Sequence, residues 1–265
     1  MSKVVSSASQ AVADIPSGAT LAVGGFGVCG IPSVVIDAVL ALGPADLDVV
    51  SNNCGLADAG LGRLLSAGRI RRLTASYVGE NAELVRQYLS GQIEVELTPQ
   101  GTLAERMRAG GTGIPAFYTP AGVGTLVASG GLPWRYAQDQ SVARSSPAKE
   151  VRVFDGREYI LERAITCDFA LVHAWKGDRH GNLVFRRSAR NFNPLAAMCA
   201  RTTIVEVEHL LEPGQIDPDD VHTPGIFVHR VVALTPEQAA SKTIEKRTTA
   251  PAPAPAPAPA REGNA

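Results

Sequence analysis

The chain has 265 residues, of which 45% are hydrophobic and 19% are charged, and its formal net charge is -1. This composition predicts a globular protein with a sizeable core, built as one large α/β domain or two small ones, and the near-neutral charge argues against binding to nucleic acid or to an anionic membrane. No apolar run reaches the roughly 20 residues that a membrane span requires, and the N-terminus lacks the features of a signal or transit peptide, so we expect a soluble, cytoplasmic protein.

Short apolar runs alternate with amphipathic helical patterns through the first half of the chain. The predicted strands are residues 20–24, 47–51, 70–77 and 93–97. The predicted helices are residues 34–42, 61–67, 82–89 and 103–109. Strands and helices that alternate at this spacing are typical of βαβ units, so we expect an α/β fold with a largely parallel sheet.

The second half of the chain begins with a different composition. Residues 110–147 are rich in Gly, Pro, Ser and Thr, which predicts long functional loops over the edge of the sheet with little regular structure. A hairpin is predicted over residues 151–154 and 158–161, because Asp155-Gly156 is a favoured turn sequence. Further strands are predicted at residues 169–174, 183–185 and 202–207, with a helix around residues 195–200.

The folded domain is predicted to span residues 1–248. Residues 250–260 alternate Ala and Pro strictly, a run that has no apolar face to bury and few backbone donors. Such a segment favours an extended, polyproline-like chain, so residues 249–265 are expected to form a disordered tail.

Cysteine and histidine spacing indicates no metal site. The four cysteines are Cys29, Cys54, Cys167 and Cys199. They form no Cys-x-x-Cys pair, so we expect reduced thiols rather than a zinc site or a disulfide framework. Cys29 is predicted to be a small packing residue rather than a reactive thiol. The five histidines lack metal-ligand spacing, and His173 is predicted to be a core residue on a strand.

The most distinctive segment runs from Leu21 to Pro32 and combines a buried strand, a Gly-rich loop and a helix start. Within it, Gly25, Gly27 and Gly30 satisfy the G-x-G-x-x-G pattern of dinucleotide sites. Glycine-rich backbone can approach a ligand closely, and a helix N-terminus offers N–H groups to an anion. The pattern therefore predicts a loop that binds a phosphate or another polar ligand.

A dinucleotide site also requires an acidic residue about 20 positions further on, at the end of the second strand. Asp46 and Asp48 only precede or open that strand, and its carboxyl end carries Ser51-Asn52-Asn53-Cys54-Gly55 instead. Ligands of open α/β sheets bind outside the carboxyl ends of the strands. Amides at that end suit a neutral or oxyanionic oxygen better than a ribose diol, which weakens the nicotinamide interpretation.

Seven strings, in order and with natural spacing, resemble the A (alpha) chains of the family I coenzyme A transferases. They are GGFGVCGIP (24–32), SNN (51–53), SYVGEN (76–81), ELTPQGTLAER (96–106), GIPAFYT (113–119), DFAL (168–171) and RSARNFNP (187–194). The resemblance covers roughly residues 2–248. The Gly-rich loop alone would be weak support, whereas the string around Gln100 is specific.

This resemblance implies a coenzyme A transferase (NagB/RpiA-like) fold, with helices on both faces of a largely parallel sheet. It also implies transfer of coenzyme A from succinyl-CoA to a 3-oxo acid such as acetoacetate. In the family, a glutamate of the partner B (beta) subunit, in a Ser-Glu-Asn-Gly string, attacks the thioester and becomes a glutamyl-CoA intermediate. This chain has no such string, and its Glu80 is expected to be a structural carboxylate near a helix start. We therefore expect no nucleophile here, and a heterodimer or heterotetramer with the B subunit.

The resemblance also suggests which residues form the site. The loop expected to bind CoA or the acyl-CoA consists of Gly24, Gly25, Phe26, Gly27, Val28, Cys29 and Gly30. Asn52, Asn53 and Gln100 are candidate donors to an acyl oxygen or carboxylate, because preorganised amides stabilise developing negative charge. The same residue types also cap turns and helices. No metal and no permanently bound cofactor is expected, since CoA thioesters are the substrates. The basic run from Arg186 to Arg190 is predicted to be a solvated or interface face rather than an anion contact.

Three alternatives remain open at this stage. The same fold could act on 3-oxoadipate, or on acetate and butyrate, although the strings at 77–81 and 98–106 favour the succinyl/acetoacetate branch. A nicotinamide oxidoreductase is a second alternative, but the missing acidic residue argues against this interpretation. A non-catalytic ligand-binding or sensing domain would account for the absence of a nucleophile.

Overall fold

The computed structural model describes residues 2–79 and 81–242. The helices are α1 (Ala8–Val12), α2 (Ser33–Leu42), α3 (Leu61–Ser66), α4 (Ala82–Leu89), α5 (Gln100–Gly111), α6 (Leu126–Ser129), α7 (Asn193–Met198) and α8 (Pro236–Ala240). The strands are β1 (Thr20–Val23), β2 (Leu47–Val50), β3 (Ile70–Ala75), β4 (Glu94–Leu97), β5 (Ala116–Thr119), β6 (Pro133–Tyr136), β7 (Val142–Ser145), β8 (Val151–Phe154), β9 (Arg157–Arg163), β10 (Cys167–Asp178), β11 (Leu183–Val184), β12 (Ala200–Leu211) and β13 (Arg230–Ala233). The predicted tail and Glu80 lie outside the described residues.

The central sheet is parallel in the order β13-β12-β10-β1-β2-β3-β4, with β11 added antiparallel to β10. The chain proceeds from β1 to β2 on one side, and β10 lies on the other side of β1. The gap between β1 and β10 is therefore the point where the strand order reverses, the usual ligand position of such sheets. Because the strands are parallel, their carboxyl ends share one side of the sheet, which we call the carboxyl edge.

Helices cover both faces of this sheet, which confirms the predicted fold class. On one face, a core packs the sheet against the side chains of α1 to α4, among them Ile36, Leu64 and Leu84. On the other face, Leu103 and Met107 of α5 pack with α7 against β10 and β12. Burial on both faces explains the short, continuous apolar runs of the strands. Among the described helices, none combines the length and hydrophobicity that crossing a bilayer would require.

The expectation of little regular structure over residues 110–147 is wrong. This segment contains β5, α6, and the antiparallel pair β6-β7, and β5 joins β9 and β8 in a three-stranded antiparallel sheet. All four residues of β7 are exposed, and those of β5 are only half-buried. The sequence of this segment therefore lacks the apolar alternation from which a half-buried strand is predicted. Backbone hydrogen bonds between paired strands stabilise the segment rather than burial of an apolar face.

The other predicted strands and helices are present among the described residues, with shifted boundaries. The hairpin β8-β9 turns at Asp155 and Gly156, whose φ values of 50° and 78° are both positive, as a type I′ turn requires. Strands β10 and β12 continue past the predicted ends, and their parallel pairing extends to Asp178 and Leu211. Helix α1 and the edge strand β13 were not predicted.

Candidate functional site

Two loops and a pair of amide side chains meet at the carboxyl edge. Loop 1, residues 24–30, follows β1 at the point where the strand order reverses. Loop 2, residues 55–60, follows β2 and precedes α3. Asn52 lies between β2 and loop 2, and Gln100 opens α5 after β4. The sequence order of the strands therefore brings these four features to one side of the sheet.

Loop 1 folds into a narrow turn. The backbone N–H of Phe26 donates to the carbonyl of Cys29 at 3.0 Å, and the N–H of Cys29 donates back to Phe26 at 3.0 Å. Gly27 and Val28 therefore form the tip, and around Gly27 no atom lies within 4 Å of the place a Cβ would take. The Phe26 side chain is 49% exposed. The turn thus presents an aromatic ring and glycine backbone at the carboxyl edge.

A fully buried asparagine fixes the stem of loop 1. The Asn193 amide nitrogen donates to the carbonyls of Gly30 and Ala189, each at 2.9 Å, and its oxygen accepts from the His173 backbone N–H at 3.0 Å. A Cβ on Gly24 would lie only 2.0 Å from that oxygen. The close approach of Asn193 therefore requires glycine at position 24.

The N-terminus of α2 is already occupied by a side chain of the protein. The backbone N–H groups of Val34 and Val35 donate to Glu206 Oε2 at 2.9 and 3.0 Å, and Glu206 is completely buried. A phosphate would need those same N–H groups. The expectation that this helix start offers them to an anion is therefore wrong, and the pyrophosphate position of a dinucleotide site is closed.

Asn52 and Gln100 form a hydrogen-bonded pair, although 48 positions separate them. Gln100 Nε2 donates to Asn52 Oδ1 at 2.7 Å, and Ser76 Oγ donates to the same oxygen at 2.8 Å. Asn52 is buried, which fixes its orientation, whereas Gln100 is exposed. An amide nitrogen carries two N–H groups, so the second N–H of Gln100 is left for an oxygen at the carboxyl edge.

The other polar candidates contribute less. Asn53 is half-buried, and no hydrogen bond among the described residues joins it to Asn52 or Gln100. Burial raises the pKa of the Cys54 thiol to about 12, so this thiol stays protonated and is no nucleophile. Cys29 is half-buried, and its sulfur lies 3.5 Å from Ser188 Oγ.

Loop 2 repeats the construction of loop 1, which sequence analysis missed. Leu56 and Ala59 exchange backbone hydrogen bonds of 3.2 Å, and the Leu56 side chain is 43% exposed, like Phe26 in loop 1. The available signal is that Gly55 and Gly60 repeat the spacing of Gly25 and Gly30, thirty positions further along. The carboxyl edge therefore carries two similar turns, each with an exposed apolar side chain.

A second buried asparagine holds loop 2. Asn81 Oδ1 accepts from Leu84 N at 3.1 Å and caps α4, while its Nδ2 donates to the carbonyls of Cys54 and Gly55 at 3.3 and 3.5 Å. This end of the SYVGEN string thus has a structural role. The role of Glu80 stays a prediction.

The basic run beside loop 1 faces solvent. Arg186, Arg187 and Arg190 are exposed. The Arg186 guanidinium lies over the Trp175 ring at 5.2 Å, and Lys176 Nζ lies 4.2 Å from the same ring centroid. The predicted solvated or interface face agrees with this exposure.

A cavity of about 530 Å³ lies away from these loops, between β4 and the small antiparallel sheets. Its lining cations Arg72 and Arg106 pair with Glu96, and Lys149 pairs with Glu162. These three cations have their charges compensated, whereas Arg163, which also lines the cavity, forms no ion pair among the described residues.

The fold and the carboxyl edge define an α/β protein whose candidate site lies where the strand order of a parallel sheet reverses. A crystal structure of an acyl-CoA transferase from Escherichia coli O157:H7 superposes with a TM-score of 0.73 at 23% identity, over 89% of this chain and 48% of that one. The family model for coenzyme A transferase matches residues 5–234. This chain belongs to the coenzyme A transferase family.

Two relatives are more similar in sequence to this chain than the E. coli structure is. A Mycobacterium tuberculosis H37Rv protein, named as the A subunit of a probable succinyl-CoA:3-ketoacid coenzyme A transferase, is 65% identical over 248 residues, which are 94% of this chain and 99% of that protein. The human mitochondrial succinyl-CoA:3-ketoacid coenzyme A transferase 2 is 54% identical over 239 residues, 90% of this chain but only 46% of that protein. The chain thus spans about half of the human relative and nearly all of the mycobacterial one.

Proposed function

We propose that this chain is the A (alpha) chain of a succinyl-CoA:3-oxoacid CoA-transferase. The reaction transfers coenzyme A from succinyl-CoA to a 3-oxo acid such as acetoacetate and yields succinate and the 3-oxoacyl-CoA. The observation that carries this proposal is the 65% identity, over 94% of this chain, to a protein named for this activity. The CoA thioesters are substrates, and no permanently bound cofactor is part of the proposal.

The proposal includes a B subunit, in a heterodimer or heterotetramer. Two observations support it: this sequence lacks the Ser-Glu-Asn-Gly string of the nucleophile, and the chain spans about half of the human relative. The exposed apolar side chains Phe26 and Leu56 at the carboxyl edge suit burial against another chain or against the substrate. The complete site would then lie between the two chains.

The chemistry begins on the partner. A glutamate carboxylate of the B subunit attacks the thioester carbonyl, and the CoA thiolate leaves to give an acyl-glutamyl anhydride. The thiolate then attacks the glutamyl carbonyl, succinate departs, and a glutamyl-CoA thioester remains. The 3-oxo acid carboxylate next attacks this thioester, and the same steps in reverse release the 3-oxoacyl-CoA and the free glutamate.

This chain would stabilise the negative oxygen that forms at each attack. The second N–H of Gln100 would donate to that oxygen, and Asn52, held by Ser76, would orient the Gln100 amide. Donors fixed in advance need no reorganisation when the charge develops, which is why they lower the barrier. Asn53 has no hydrogen bond to Asn52 or Gln100 among the described residues, so it is the weakest of the three candidate donors. Loop 1, residues 24–30, would form a wall of the acyl-CoA site with its exposed backbone turn.

The remaining features of the proposal concern the whole chain. Residues 1–248 would form the transferase domain, which contains the match to the family model over residues 5–234, and residues 249–265 would lie outside it. Free cysteines suit a reducing compartment such as the cytoplasm, where we place the enzyme.

Reconstitution with the B subunit tests this function. The purified chain alone should show no CoA transfer, and addition of its partner should produce transfer from succinyl-CoA to acetoacetate. A panel with 3-oxoadipate, acetate and butyrate identifies the preferred acceptor. Turnover by the isolated chain would contradict the division of roles, and a reconstituted pair that binds acyl-CoA without transferring it would favour a sensing domain.

A further inference from the structure

A cluster of four ionisable side chains lies beneath loop 1 and takes no part in the proposed chemistry. It consists of His173, Glu206, Glu208 and Lys242, and we call it the buried ion cluster. Glu206 Oε1 accepts from Lys242 Nζ at 2.6 Å and lies 3.0 Å from His173 Nδ1, while His173 Nε2 lies 3.1 Å from Glu208 Oε1. Glu206, His173 and Lys242 are each buried.

The charges of the cluster compensate one another. Burial by itself would raise the pKa of Glu206, but the Lys242 ammonium and the His173 ring outweigh burial, so this pKa is lowered. For His173, burial by itself would lower the pKa. The hydrogen bonds to Glu206 and Glu208 outweigh burial, so the pKa of His173 is raised. Such clusters are seldom the most stable way to fill a core, because removing charges from water is costly. This one therefore calls for a role other than stability.

Its contacts converge on the backbone around Gly30. Lys242 Nζ donates to the carbonyl of Ile31 at 2.7 Å, one residue after Gly30. Glu206 accepts from two N–H groups in the first turn of α2, those of Val34 and Val35. The C-terminal part of the described chain is thereby tied to the junction between loop 1 and α2.

Asn193 fixes the same junction from the other side. It binds the Gly30 carbonyl and the backbone of His173, which is itself a member of the cluster. The consecutive carbonyls of Gly30 and Ile31 are thus each held by a buried side-chain nitrogen. A shift of Lys242 would change the angle at which loop 1 joins α2.

We propose that Glu206 and Lys242 are positioning residues that set the stem of loop 1 for acyl-CoA binding. This inference rests on the proposed function, since it takes loop 1 to contact the acyl-CoA. Neither residue need touch the substrate, because both act through the Gly30–Ile31 backbone. Misplacement of a binding element by about 1 Å can lower kcat/KM up to about 100-fold.

The test uses the reconstituted complex with Lys242→Met in this chain. We expect the KM for succinyl-CoA to rise about tenfold with kcat nearly unchanged, because the loop is displaced while Gln100 is not. In the double variant Lys242→Met/Glu206→Gln, the uncompensated carboxylate is gone, so Tm should recover above that of the single variant while KM stays raised. A purely structural role would restore KM together with Tm.

Lys149→Met is the matched control. Lys149 also compensates a buried glutamate, Glu162, but it lies in the small antiparallel region away from loop 1. This variant should lower Tm and leave KM for succinyl-CoA unchanged. A KM for Lys242→Met no higher than that of the control would overturn the inference.

Hydrogen exchange separates this inference from the proposed function. In Lys242→Met, the amides of Val34, Val35 and residues 24–30 should exchange faster than in the unmodified chain, whatever the reaction turns out to be. Unchanged exchange at these amides would reject the positioning role. An inactive unmodified pair with faster exchange in the variant would instead reject the proposed function alone.

Discussion

At the residue scale, Gln100 gains its direction from a distant side chain. It opens α5 after Pro99, so its backbone position follows from the local sequence. Its amide, however, points to Asn52, which comes from the end of a different strand and is held by Ser76. Exposed glutamines are common on protein surfaces, but the hydrogen bond to Asn52 turns this one into an oriented donor.

Gln100→Ala should lower the kcat of the reconstituted pair by about 10² to 10³-fold, because it removes the donor to the developing oxyanion. The KM for succinyl-CoA should change little, since the interaction strengthens only in the transition state. Steady-state kinetics with both substrates varied measures this split. Gln138→Ala, which truncates a glutamine in the small antiparallel region, is the control, and equal kcat values for the two variants would exclude Gln100 as the donor.

At the scale of elements, the two turns at the carboxyl edge are built alike. Each follows a buried parallel strand, each closes with paired backbone hydrogen bonds, and a buried asparagine holds each stem. Asn193 serves loop 1 from α7, and Asn81 serves loop 2 from the start of α4. Loops that carry a site are held in this way by the rigid elements beside them.

Asn81→Ala should lower the free energy of unfolding by about 1–3 kcal/mol, because α4 loses its cap and two buried carbonyls lose their donor. Urea denaturation of the purified chain measures the change. Ser7→Ala removes the N-cap of α1, whose hydroxyl accepts only from Gln10 N among the described residues, and should cost only about 1 kcal/mol. If the two variants lost the same stability, the contact of Asn81 with loop 2 would contribute nothing.

At the scale of the whole molecule, ion pairs connect elements that are distant in sequence. Glu96 of β4 pairs with Arg72 of β3 and with Arg106 of α5. Burial would raise the pKa of Glu96, but the two guanidinium groups outweigh it, so its pKa is lowered. Stability that depends on such carboxylates varies with pH.

Acid should destabilise the fold partly through Glu96. A carboxyl whose folded-state pKa is lowered contributes stability above its unfolded pKa of about 4.5, and that stability is lost as pH falls through the folded pKa. Glu96→Gln should therefore lower the free energy of unfolding near pH 7 and flatten its decline between about pH 5 and pH 3. Urea denaturation at several pH values in that range measures how steeply the free energy of unfolding declines as the pH falls.

Glu105→Gln provides the comparison for this pH series. The pKa of Glu105 is also lowered, by its hydrogen bond to Arg108, but the pair is exposed and screened by solvent. Its effect on the slope should be much smaller than that of Glu96→Gln. A larger effect from Glu105 would mean that burial does not govern the acid response.

The sequence predicted the parallel strands well, because strands buried on both faces appear as continuous apolar runs between helical patterns. It did not predict β6 and β7, whose residues are largely half-buried or exposed and carry no apolar alternation. For the site, it selected loop 1, Asn52 and Gln100 from glycine spacing, amide chemistry and the family resemblance. It did not indicate which of the amides meet, because that depends on how β2, β3 and β4 align.

By itself, then, the sequence determined the α/β class, the glycine turn after β1 and the amides that follow β2 and β4, since these depend on local composition and period. Only the tertiary structure decided how the start of α2 is used. Glu206 lies more than 170 positions from Val34, and it reaches this helix because β12, β10 and β1 are neighbours in the sheet. Its carboxylate fills the place that the glycine pattern suggested for a phosphate. Local sequence cannot show such a contact, because the free energy that fixes it comes from the packing of the whole sheet.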